Sequence, residues 1–109
     1  MSEQEPTREE QERLARELAD ELRKLNVEDV LVNTLVTISS IAYRRLGLTP
    51  DTREHRDLDQ VRLSIETMRA VTPVLENFIP ADLIRDFNQS VANLQLAYAE
   101  AANEDDAER

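Results

Sequence analysis

Cysteine and tryptophan are missing from this chain, and glycine, lysine and histidine each occur once. Without cysteine there is no disulfide framework and no thiolate metal site, a composition that fits a reducing cytoplasm. A single glycine excludes a Gly-rich phosphate loop. His55, with no cysteine and no second histidine, supplies too few converging ligands for a metal, and Glu66 and Glu76 lack the Glu-x-x-His repeats of a di-iron bundle. Aromatic residues are only 4% of the chain, so any core is aliphatic. Also absent is a run of about 20 apolar residues, the length a membrane-spanning helix requires, and the acidic start has no apolar h-region of a signal peptide. These absences lead us to expect a cytoplasmic protein with no catalytic residues, cofactor, metal or membrane contact. The net charge of −10 likewise argues against a nucleic-acid partner, because such a surface repels phosphates.

Charge is otherwise abundant, at 33% of residues, which makes one stretch conspicuous: nothing between Asp29 and Arg44 is charged. The run from Val30 to Tyr43 has two apolar stripes at helical spacing. Val30, Leu31, Leu35, Ile38, Ile41 and Ala42 form one; Val32, Val36 and Tyr43 form the other. A helix apolar on more than one face belongs in an interior, so we expect neighbouring helices to enclose this one. Its Thr and Ser residues, Thr34, Thr37, Ser39 and Ser40, lack a nearby base and read as packing residues whose hydroxyls bond back one turn.

The remaining elements follow from caps and periodicity. Thr7 is a good N-cap for a first helix to about Leu25, with Glu9 and Glu10 in its first turn. Leu14, Leu18, Leu22 and Leu25 give it one narrow seam, and Glu9–Arg13, Glu12–Arg16 and Asp20–Lys24 are i,i+4 pairs. Asn26 should cap the second helix. Gly47, between Leu46 and Leu48 and ahead of Pro50, should close it in a left-handed C′ conformation. Asp57 should cap a third helix whose seam is Leu58, Val61, Ile65, Met68, Thr72, Leu75 and Ile79. Pro73 must kink or end it near Val71. Pro80 should stand in the first turn of a fourth helix with Ile84, Phe87, Val91, Leu94, Tyr98 and Ala101 in register. The expected organisation is a disordered N-terminus over 1–6, a single helical domain over 7–102 and an acidic disordered tail over 103–109.

The fold class is therefore all-α: a small bundle of about four helices, the last two an antiparallel hairpin. One chain this short has limited cover for its second helix, so completion by homodimerisation is expected. Candidate interface or core residues are Leu31, Leu35, Val36, Ile38, Tyr43, Phe87, Val91, Leu94 and Tyr98. The cluster Arg53-Glu54-His55-Arg56 reads as a solvated loop.

The chain has an uncharged helix closing on Leu46-Gly47, then Leu58-x-x-Val61-Arg62-x-x-Ile65-x-x-Met68, then Asn77-Phe78-Ile79-Pro80 and Leu94-Gln95-Leu96-Ala97-Tyr98. With these motifs, residues 31–98 resemble a bacterial family of short helical proteins catalogued as a domain of unknown function. The chain departs from that pattern at Ile79, where a Thr or Ser cap is expected, and at Pro73. The resemblance implies a small, all-helical, bacterial, cytoplasmic protein and carries over no active site. The reading that follows is a non-enzymatic helical module that binds another protein, its identity unknown, and pairs with its own copy. The alternative is a bundle holding a small apolar ligand, with Tyr43 and Tyr98 as polar handles.

Overall fold

A computed structural model describes residues 5–108, which form four α-helices and no strand. These are α1 (Arg8–Lys24), α2 (Val27–Arg45), α3 (Leu58–Val71) and α4 (Ala81–Ala107), with 3-10 turns at Arg53–His55 and Thr72–Leu75. Residues 1–4 of the expected disordered N-terminus lie outside the described residues; Glu5 and Pro6 precede α1 without regular structure.

The central helix is α3, which packs on α2 along one side and α4 along the other. Its seam is buried as the spacing predicts: Val61, Ile65, Met68, Thr72 and Leu75 meet Leu35, Ala42 and Leu46 from α2 and its cap, and Phe87, Val91, Leu94 and Ala101 from α4. The α-helical part ends at Val71, and Pro73 sits in the first turn of the 3-10 segment that follows. Thr72 is not its cap; Val71 occupies that position, and the buried Thr72 hydroxyl has no partner among the described residues. Pro80 stands one residue earlier than expected, at the N-cap of α4, where its carbonyl accepts from the Leu83 and Ile84 amides at 3.1 and 3.3 Å.

Capping follows the sequence closely. Thr7 and Glu10 form a reciprocal capping box, and the Asp57 carboxylate accepts from the Gln60 amide at 3.3 Å. Asn26 is the N-cap of α2 by backbone geometry alone; its side chain makes no capping bond. Gly47 has φ +62 and donates its amide to the Arg44 carbonyl at 3.2 Å. A Cβ there would lie 2.9 Å from the Arg56 Cβ and 3.1 Å from the Thr52 carbonyl oxygen. The left-handed backbone alone costs a non-glycine residue about 1–2 kcal/mol, and overpacking adds a similar amount. Gly47→Ala should therefore lower stability by roughly 2–3 kcal/mol in urea melts, more than the ~1 kcal/mol of backbone freedom alone. An unchanged midpoint would mean that neither the turn nor the close approach exists.

One sequence expectation is overturned, and another is met only in part by the single chain. First, the expected disordered tail is helical as far as α4 runs, through Ala107; Arg109 lies outside the described residues. Residues 103–109 carry no apolar side chain except Ala107, the reason for expecting disorder, and acidic side chains at a helix C-terminus oppose its dipole. The dipole cost is offset from across the fold. Arg56 donates to Asp105 at 2.8 Å and to Glu104 at 2.9 Å, and Arg53 to Glu108 at 2.6 Å. Second, α2 is not enclosed by its own chain. Only Leu35 and Ala42 on it are buried, with Leu31, Val32 and Ile38 partly so. Of the candidate interface or core residues, Leu35, Phe87, Val91 and Leu94 are in the core and Leu31, Ile38 and Tyr98 flank it. Val36 and Tyr43 stand 52% and 43% exposed, because α3 and α4 cover one side of α2 and no described element packs over the other.

The reason is α1. It meets α2 at 93° and leaves the bundle, with no buried residue. The radius of gyration is 19.6 Å, against about 13 Å for a compact 100-residue domain. The bundle is thus three helices with a fourth standing out as an arm. The expected ion pairs of α1 are also replaced by others on the same surface: Arg13 approaches Glu17 at 3.9 Å, and Arg23 pairs with Asp20. All these groups are exposed, so the alternatives differ by only tenths of a kcal/mol.

Candidate interaction surface

Apolar surface is left open on α1 and on α2, and also where Val27, Val74 and Phe78 stand 73%, 63% and 65% exposed. On α1, Leu14, Leu18, Leu22 and Leu25 are 53%, 57%, 57% and 48% exposed. They share one side because their three- and four-residue steps return to the same face of a helix. On α2, the open side is the row Val30, Thr34, Thr37 and Ile41, flanked by Asn33, Val36 and Ser40. Small hydroxyl residues between branched ones leave hollows. One of about 350 Å³ lies among Leu25, Val30, Asn33, Thr34, Thr37 and Ile38. The next, of about 650 Å³, lies among Val36, Thr37, Ser40 and Ile41 and ends on Arg44, Arg45 and His55.

The hydroxyls on this face are already satisfied within the helix. Thr34, Thr37 and Ser40 donate to the carbonyls of Val30, Asn33 and Val36 at 2.8, 3.0 and 3.1 Å, as the sequence predicts. Those hydroxyls are therefore committed as donors rather than held by a base, and covering them leaves no donor unpaired. His55 is exposed, with Nε2 3.7 Å from Glu54. Among the described residues no three His, Asp or Glu side chains converge as a metal site. No single helix among the described residues is long and apolar enough to cross a membrane.

Tyr43 and Tyr98 are not brought together in an enclosed space. Tyr43 lines an open groove of about 390 Å³ with Val36, Leu83 and Phe87, whereas Tyr98 lies half-buried against the core. The most apolar recess, between Val27, Leu31, Val74, Leu75 and Phe78, is about 250 Å³. That is below the roughly 300–1,000 Å³ of small-molecule sites.

Arg56 is the residue whose role the sequence hid. Its side chain is 7% exposed. Nε donates to the Leu46 carbonyl at 2.7 Å, and one terminal nitrogen donates to the Gly47 carbonyl at 3.2 Å. The same guanidinium reaches Glu104 and Asp105, tying the end of α2 to the end of α4. Burial disfavours its charge, but hydrogen bonds and attraction from Glu104 and Asp105 outweigh this and raise its pKa above the ordinary arginine value. No local pattern marks Arg56 within Arg53-Glu54-His55-Arg56, because its partners are distant in sequence. The only hint was acidic residues at a helix end where the dipole disfavours them.

Compared with known protein families, curated proteins and solved structures, the chain matches none.

Proposed function

We propose that this chain is a non-enzymatic helical module for protein–protein interaction, with the α1 seam and the open face of α2 as its binding surfaces. One observation carries the reading: α1 is a well-capped amphipathic helix of 17 residues whose apolar side is covered by nothing among the described residues. Most helical stability in proteins comes from packing of an amphipathic face rather than from propensity, and contiguous exposed apolar surface marks interaction sites. A bacterial, cytoplasmic setting, implied by the resemblance and fitting the lack of cysteine, belongs to the same proposal. The apolar-ligand alternative has weaker support, since the space beside Tyr43 is an open groove.

The test combines sedimentation velocity with binding of the dye 8-anilinonaphthalene sulfonate. The pure protein should either self-associate or, as a monomer, bind the dye. Leu18→Glu with Leu22→Glu should abolish whichever occurs while leaving the bundle folded by circular dichroism. A wild-type monomer that binds no dye would overturn the reading.

A further inference from the structure

The interaction reading leaves the partner open, and four features of the surface converge on a second copy of this chain. Resting on that reading, we propose that two copies exchange their first helices, each α1 lying antiparallel along the open face of α2 in the other copy.

Length comes first. Leu14 and Leu25 are as far apart in sequence as Val30 and Ile41, about 16 Å at 1.5 Å per residue. The seam and the open row therefore match end to end, with Leu14 opposite Ile41, Leu18 opposite Thr37 and Leu25 opposite Val30. The shape agrees too: leucine knobs meet hollows left by Thr34, Thr37 and Ser40.

Charge then selects the direction. The start of α1 is acidic, with Glu9 and Glu10, and its end is basic, with Arg23 and Lys24. The same polarity runs along α2, from Asp29 to Arg44 and Arg45; Glu28 instead lines the recess beside Val74 and Phe78, away from the open row. Antiparallel docking sets opposite charges together at both ends; parallel docking sets like charges together at both ends.

The link decides whose α2 is covered. Folding α1 back onto its own α2 needs a reversal within Leu25 and Asn26. Both residues are extended, at φ −87, ψ 135 and φ −100, ψ 153. Neither is glycine, and Gly47 alone has positive φ among the described residues. Each is also tied to its neighbouring helix: the Leu25 amide donates to the Leu22 carbonyl, and the Asn26 carbonyl accepts from the Asp29 and Val30 amides. The link therefore directs α1 away from its own bundle, where a two-fold partner's α2 can receive it while returning its own arm.

The chain lacks cysteine, so a disulfide can report the geometry. Full-length protein carrying Leu18→Cys and Thr37→Cys should, on mild oxidation, run as a covalent dimer under denaturing, non-reducing conditions. Wild-type protein should sediment as a dimer, and Leu18→Glu with Leu22→Glu should raise its dissociation constant at least about 100-fold, given the apolar area withdrawn. An intrachain disulfide overturns the exchange, because α1 has then folded onto its own α2. So does a dimer that forms no such crosslink. A wild-type monomer that binds the dye also overturns the exchange but leaves the interaction reading standing. A dye-silent monomer overturns both.

Discussion

Arg56→Met should cost about 3–4 kcal/mol of stability, a large share of the roughly 5–15 kcal/mol that holds a small domain folded. Methionine keeps the apolar stem and removes the fork. The Leu46 and Gly47 carbonyls then lose their side-chain donor at the close of α2, and an unmet buried acceptor costs about 1–3 kcal/mol. Asp105 and Glu104 are 40% and 50% exposed, so water can take them back, which keeps the loss below the upper range for a broken buried pair. Arg56→Lys retains the charge but cannot serve both carbonyls and both carboxylates, and it should lose about half as much. Urea melts give the totals. Hydrogen exchange gives the location: in Arg56→Met, amides from residue 104 to residue 108 should lose protection before the rest of α4. Uniform protection along α4, with an unchanged melt, would remove Arg56 from its role as the tie between the two helix ends.

Phe87→Ala should be comparably severe, at about 3–5 kcal/mol. Phe87 is 6% exposed, whereas the other phenylalanine, Phe78, is 65% exposed. Phe87 is thus the only aromatic ring fully buried in the core, which is otherwise built from aliphatic side chains and Met68. Truncation leaves a void near the junction of α2 and α4 that the backbone cannot close without moving a helix. The matched control is Phe78→Ala, which should change stability by less than about 0.5 kcal/mol in the monomer. Equal losses at the two positions would mean that Phe87 is not packed as described.

Much of this architecture was legible without coordinates. Gly47 after Leu46, Asp57 before Leu58 and Thr7 before Glu10 are local signals. Each acts through backbone groups within a few residues, so each could be read in place. The α3 seam and its interruption at Pro73 are local too, because periodicity and a missing amide need no tertiary partner. The antiparallel α3–α4 hairpin followed from the short connection between them.

The open apolar surface was half legible. The uncharged run Val30–Tyr43 correctly signalled more apolar surface than one chain requires. The leucine seam of α1 signalled a helix in need of a support. What could not be read was that one bundle leaves both unmet. That depends on the 93° exit of α1, which two extended residues set through their bonds to the helices on either side.

Chain order and side-chain chemistry thus specified the helices, their caps, the α3 seam and the presence of surplus apolar surface, since all of these arise between residues one or two turns apart. Assembly in space settled which side of α2 is covered, where α1 points, and that the acidic end of α4 is helical rather than loose. Those outcomes rest on groups far apart in sequence, above all Arg56 with Glu104 and Asp105. Such contacts exist only once the helices have packed, so periodicity along the chain cannot announce them.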